Sequence, residues 1–169
     1  MKKIIITNGS GGCGKDTFAK IARKYIRVIK YSSIDFFKQI GILGRMGLEK
    51  GEPERKLLYN LKQAFIEYND LPTILCSEKI EKFLMETQDG ILIIDIREPN
   101  EIKKLIAKYP EIISVLILNK NTPMILSNSG DANVFDYNYD YIIDNSYNLD
   151  TLEQSIKTFL IDIGFTIKK

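Results

Sequence analysis

Gly9-Ser10-Gly11-Gly12-Cys13-Gly14-Lys15-Asp16-Thr17 sets two glycines five apart with a lysine directly after the second. Glycines at that spacing let the backbone curl so that successive N–H groups point inward, and a helix opening at the lysine adds its positive end to the same anion. Lys15 brings a mobile full charge to the β- and γ-phosphates. The chemistry this pattern suits is binding of a nucleoside triphosphate. Ile4-Ile5-Ile6 before the run and an amphipathic segment after it supply the strand–loop–helix setting that such a loop requires. A glycine-rich turn with an incidental lysine would not explain that setting. One position departs from the common pattern. Asp16 stands where Ser or Thr usually follows the lysine, and the hydroxyl moves to Thr17. Asp16 either holds a metal-bound water or is an acid suited to a first helical turn, and both readings stay open.

A second cluster is Ile94-Asp95-Ile96-Arg97-Glu98-Pro99-Asn100-Glu101, which ends an apolar run. A carboxylate at the end of a strand beside the phosphate loop can hold a Mg²⁺-bound water, because Mg²⁺ keeps much of its hydration. Arg97, at the same mouth, can neutralise an acceptor phosphate or bridge it to the γ-phosphate as charge builds. The plainer alternatives are a helix cap for Asp95 and a salt bridge from Arg97 to Glu98, Glu101 or Asp95. The functional reading is preferred for the pair, with Glu98, Asn100 and Glu101 assigned to the start of the next helix. Lys15, Asp95 and Arg97 are therefore the catalytic candidates, and Asp16, Thr17 and Asp95 the metal candidates.

The elements that must position these groups alternate. Strands are expected over Lys3–Thr7, Arg27–Tyr31, Ile91–Asp95, Ile112–Leu118 and Tyr141–Ile143, with a last short one at Phe165–Ile167. Helical faces lie between them: Phe18, Ile21, Ala22, Tyr25 and Ile26; then Leu57, Leu58, Leu61, Ala64, Phe65 and Tyr68; then Cys76, Ile80, Phe83 and Leu84; then Ile102, Leu105 and Ile106; then Leu149, Leu152, Ile156, Phe159 and Leu160. These stripes are read as core. Residues 41 to 53, with four glycines and Pro53, read as an irregular connection able to act as a hinge. Crossovers long enough for parallel pairing predict a three-layer α/β/α fold with a mostly parallel five-stranded sheet.

At 169 residues the chain fits one domain. Its net charge of +2, from 24 basic and 22 acidic residues spread along the chain, argues against a nucleic-acid surface. There is no histidine, so a histidine base or metal ligand is excluded and the chemistry rests on Lys, Arg, Asp, Glu and hydroxyls. Cys13 and Cys76 lack metal-ligand spacing, no leader-like segment precedes the first strand, and no apolar run approaches membrane length. A cytoplasmic setting without membrane association is expected.

Gly14-Lys15-Asp16-Thr17 resembles the phosphate loop of P-loop nucleotide kinases, most closely the Gly-Lys-Asp-Thr of deoxynucleoside monophosphate kinases. The 94–101 segment resembles that family's Asp-Val-Arg-Phe-Pro-Asn-Glu signature, and Ile143-Asp144-Asn145 its Asp-Asn turn. Residues 40–90 and 119–139 match poorly. The resemblance implies the P-loop NTPase fold, ATP and a Mg²⁺ held largely through water, and an acceptor-binding insert at about 35–70. On that basis Ser33, Asp35, Lys38, Arg45 and Arg55, with Arg97, become acceptor-site candidates; Asp35 serves equally well as a plain helix cap. The family's lid falls at about 119–139, where this chain has no arginine and Lys120 is the only cation. Tyr137, Tyr139 and Tyr141 are read as packing residues rather than support for a base.

The leading expectation is transfer of the ATP γ-phosphoryl group to a small phosphorylated acceptor, first a (deoxy)nucleoside monophosphate, by a monomer or homodimer. The alternatives are a kinase of another phosphorylated metabolite, phosphomevalonate-like or dephospho-coenzyme A-like, and a nucleotide-binding regulatory protein without transfer.

Overall fold

Side chains alternate across a strand, and here the alternation is apolar on both faces. In β1 (Lys2–Asn8) Ile5 points one way and Ile4 and Ile6 the other; β3 (Gly90–Asp95) repeats this with Ile91 and Ile93 against Leu92 and Ile94. Such strands must be covered on both sides. In the computed structural model, which describes residues 1–47, 51–122 and 133–167, they are. One face packs on α1 (Lys15–Ala22) through Phe18, Ala19 and Ile21, and on α6 (Leu149–Asp162) through Leu152, Ile156 and Phe159. The other packs on α4 (Leu71–Glu86) through Cys76, Ile80 and Phe83, and on α5 (Pro99–Lys108) through Ile102 and Leu105. Each fully buried Ile, Leu or Phe contributes about 1.5–3 kcal/mol, so these two layers dominate stability.

β2 (Val28–Ser32), β4 (Ile113–Leu118) and β5 (Tyr141–Asp144) complete a five-stranded sheet of order β2-β3-β1-β4-β5, parallel throughout. After β1 the chain crosses to the edge as β2, returns to fill the gap as β3, and then builds β4 and β5 on the other side of β1. The carboxyl end of β1 therefore opens into the crevice where ligands of such sheets bind. Beyond β2 lie α2 (Asp35–Leu43) and α3 (Glu52–Asn69), joined by the aromatic contacts of Phe36 and Phe37 with Phe65.

The fold class is as the sequence predicts; several local readings are corrected. Phe165–Ile167 is not a strand: Gly164, at φ +102°, turns the chain, and Phe165 and Ile167 pack on the α1–α6 face instead. α1 stops at Ala22, so Tyr25 and Ile26 lie past it while still contacting the same core. α2 continues through Gly41 to Leu43, shortening the irregular connection, of which 48–50 lie outside the described residues. The α3 stripe is only partly covered, with Leu58, Leu61 and Phe65 half-buried. Leu57, Ala64 and Tyr68 are exposed and the fully buried residue is Lys62, because α3 packs on α2 and α4 rather than on the sheet. On α4, Leu84 is exposed. Among the described residues, no helix is long and apolar enough to cross a membrane.

Candidate active site

The phosphate loop joins β1 to α1 through three glycines with positive φ: Gly9 at +146°, Gly12 at +84° and Gly14 at +104°. The last is the N-cap of α1, so the turn is one that a side chain would strain. Cys13 is buried beneath the loop as the small filler expected there. Lys15 folds back over the loop; its ammonium donates to the Gly9 carbonyl, to Ser10 O at 3.2 Å and toward Cys13 Sγ at 3.5 Å. From the far side, Asn145 Nδ2 donates to Cys13 O at 2.8 Å while its backbone N–H bonds Leu118 O at 2.7 Å. The Asp-Asn turn after β5 is thus a brace for the loop.

β1 and β3 bring the second cluster alongside. Thr7 and Asp95 are register partners, and the Thr7 hydroxyl donates to Asp95 Oδ1. Asp95 Oδ2 lies 2.8 Å from Lys30 Nζ, and the same ammonium bonds Asp16 Oδ1. Lys30, on β2, had no part in the sequence reading, yet it links the two metal candidates. Burial pulls its pKa down, but the two carboxylates outweigh that and hold it above the ordinary lysine value. Asp16 and Asp95 thus flank a spot that already accepts a cation. Among the described residues no group of three or more acidic, cysteine or histidine side chains gathers as a metal cage, here or elsewhere. Two carboxylates beside a phosphate loop fit a Mg²⁺ that keeps most of its water. Thr17, third in α1, is half-buried beside Gly14.

Arg97 follows β3 and is half-buried; its carbonyl accepts from Asn8 Nδ2 at 3.0 Å. Asn8 also bonds Tyr139 Oη at 2.7 Å and, through Oδ1, the Gly9 N–H at 2.7 Å, so one amide ties the loop entry to the Arg97 segment. Tyr139 Oη donates a hydrogen bond to Val134 O at 2.7 Å, and burial pushes its pKa up to about 12. It stays protonated at neutral pH, in line with a packing role. The described ends of the lid-like segment are Asn119–Thr122 and Asn133–Tyr139. Lys120 pairs with Asp144 at 3.4 Å, and 123–132 lie outside the described residues.

The acceptor candidates divide. Ser33 is buried, with its N–H on Asp95 O at 3.1 Å and its hydroxyl accepting from Lys62 Nζ at 3.0 Å, so it joins the end of β3 to α3. Asp35 is the first residue of α2 rather than its cap, which is Ile34; its carboxylate accepts from Ser32 N at 2.9 Å and pairs with Lys38 at 2.9 Å. Arg45 is exposed just past α2 at φ +64°, and Arg55 lies in the first turn of α3. Lys62, missed by the sequence reading, forms a buried ion pair with Glu101 at 2.6 Å. Glu101, expected to serve the start of α5, instead ties α5 to α3. A lysine inside an otherwise apolar helical stripe was the only signal for it.

This architecture, with a phosphate loop at the crevice of a 2-3-1-4-5 parallel sheet, is the three-layer fold of P-loop kinases. No protein-family model matches the chain, and no curated protein does. Solved structures do. A sugar kinase from Janibacter sp. HTCC2649 is 15% identical, with a TM-score of 0.60 over 97% of this chain and 96% of that one. The tunicamycin resistance protein of Deinococcus radiodurans is 11% identical, with a TM-score of 0.59 over 99% of both chains. A dephospho-CoA kinase from Campylobacter jejuni is 16% identical, with a TM-score of 0.50 over 96% of this chain and 97% of that one. At such identities the likeness is one of fold.

Proposed function

We propose that this chain is an ATP- and Mg²⁺-dependent phosphotransferase that moves the γ-phosphoryl group to a small phosphorylated acceptor, first a nucleoside or deoxynucleoside monophosphate. The observation that carries this reading is the meeting of Asp16 and Asp95 across Lys30 beside the phosphate loop. The backbone of residues 9–14 and Lys15 hold the triphosphate. Asp16, Thr17 and Asp95 are the residues that would hold a hydrated metal, which would supply charge to offset that building on the transferred group. Thr7 fixes the Asp95 carboxylate, leaving Oδ2 toward the cation side. Arg97 meets the acceptor phosphate, which Ser33, Lys38, Arg45 and Arg55 help to bind.

No histidine is present to act as base, which matters little where positioning and charge stabilisation do most of the work. The protein acts as a monomer or homodimer in the cytoplasm, on a small molecule rather than on nucleic acid or membrane. The similarity in fold to a dephospho-CoA kinase keeps a second reading in play, a kinase of another phosphorylated metabolite. The test is ADP release from MgATP across a panel of nucleoside and deoxynucleoside monophosphates, dephospho-CoA and a no-acceptor control. A strong signal with one or a few monophosphates supports the first reading. A signal with dephospho-CoA alone moves it to the second. Bound ATP without acceptor-dependent ADP rejects transfer to these acceptors.

A further inference from the structure

Lys30 is placed unlike a surface ion-pair partner. It projects from β2, keeps only 17% of its side chain exposed, and reaches two carboxylates from different parts of the chain. Asp16, at 87% exposed, gains little protection from the contact, and an exposed salt bridge is worth only about 0–1 kcal/mol. Fold stability is therefore a weak reason for Lys30 to reach Asp16 as well as Asp95. Asp95 is also held by Thr7, so Lys30 is not its sole anchor. What the ammonium supplies is charge: it stands where two anionic groups meet at the mouth of the phosphate loop.

We propose that Lys30 is the resident counter-ion of the metal carboxylates, holding Asp16 and Asp95 in the nucleotide-free site and giving them up to a hydrated divalent cation. This rests on the kinase reading of the site. Metal and ammonium then compete for the same oxygens. Lys30 is a positioning residue that keeps the carboxylates neutralised and the metal weakly bound until the triphosphate adds its own ligands. The Lys30–Asp95 contact, whose side chains are 17% and 13% exposed, is a charge-assisted hydrogen bond of the kind that contributes about 1.5–3 kcal/mol net. The competition thus weakens binding of metal alone by roughly ten- to a hundredfold.

The experiment is a Mn²⁺ titration of the full chain without nucleotide, read by water-proton relaxation. Lys30→Met should bind Mn²⁺ at least ~10-fold more tightly than wild type, while Lys30→Arg should stay near wild type. Equal or weaker binding by Lys30→Met overturns the proposal. So does a gain that survives addition of Asp16→Asn, because the metal would then lie elsewhere. A wild-type measurement covers the case in which Lys30→Met does not fold. Acetylation of Lys30, followed by mass spectrometry, should speed up when MgCl₂ is added, as the ammonium is released from its carboxylates; an unchanged rate overturns the proposal. Both readouts use metal alone, so they report on Lys30 even where no acceptor yields ADP.

Discussion

Asn145 braces Gly14: its side-chain amide donates to the carbonyl of Cys13 and fills the space that a Cβ on Gly14 would need. Gly14 also sits at φ +104°, so an alanine there meets both backbone strain and an overlap. Gly14→Ala should cost about 1–3 kcal/mol from the strained backbone alone and should abolish nucleotide binding. Asn145→Ala removes the brace while leaving the backbone free, and should weaken nucleotide binding several-fold with a small change in Tm. Titration with a fluorescent ATP analogue, alongside thermal unfolding, checks both. Tight binding by Gly14→Ala would show that the loop does not hold phosphate in this conformation.

Lys15 folds over the loop that it serves, and no part of the hydrophobic core depends on it. Lys15→Ala should abolish acceptor-dependent ADP formation with an unchanged circular dichroism spectrum. Near-normal turnover by the folded variant would remove the phosphate-loop assignment.

Arg97→Ala should lower kcat by orders of magnitude with little loss of ATP affinity, because its guanidinium is assigned to charge that develops in the transition state. The carbonyl contact with Asn8 comes from the backbone and survives the change. Steady-state kinetics together with ATP binding distinguish this from a structural role, in which the variant would lose its fold and both activities at once.

The Lys62–Glu101 pair is buried, with side chains 7% and 6% exposed. Lys62→Met leaves an unpaired buried carboxylate and should cost about 3–5 kcal/mol in urea unfolding; replacing both members with apolar residues should recover most of that loss. If the double variant is as unstable as the single one, the pair is not what links α3 to α5.

Both cysteines are buried, and burial pushes the Cys76 thiol up to about 12. Only the thiolate attacks a disulfide reagent, and at pH 8 a thiol with so high a pKa is almost wholly protonated. Native protein should therefore show no fast reaction with a chromogenic disulfide at pH 8, and both thiols should appear on denaturation. A single fast thiol that nucleotide protects would identify Cys13 and report opening of the phosphate loop.

Local periodicity made much of the fold legible. The five strands, the central place of Ile91–Asp95 and the loop between Ile6 and Phe18 are written in contiguous residues, and β1, β3 and α1 follow them closely. The reading failed where apolar spacing outran its packing partner. Leu57, Ala64 and Tyr68 repeat at helical spacing, yet α3 has no sheet beneath it. Phe165–Ile167 has strand-like residues, but Gly164 turns them onto a helix face.

The sequence by itself determined the parallel α/β class, the glycine loop after the first strand and the carboxylate ending the central strand. Each depends on neighbours along the chain: glycines at fixed spacing, and apolar runs of the right length. Only the tertiary structure decided that Lys30 joins Asp16 to Asp95, that Lys62 is buried against Glu101 and Ser33, and that Asn145 braces the loop. Those contacts join residues far apart in sequence. A lysine in a strand or helix does not reveal its partner until strand order and helix packing bring the carboxylates within reach.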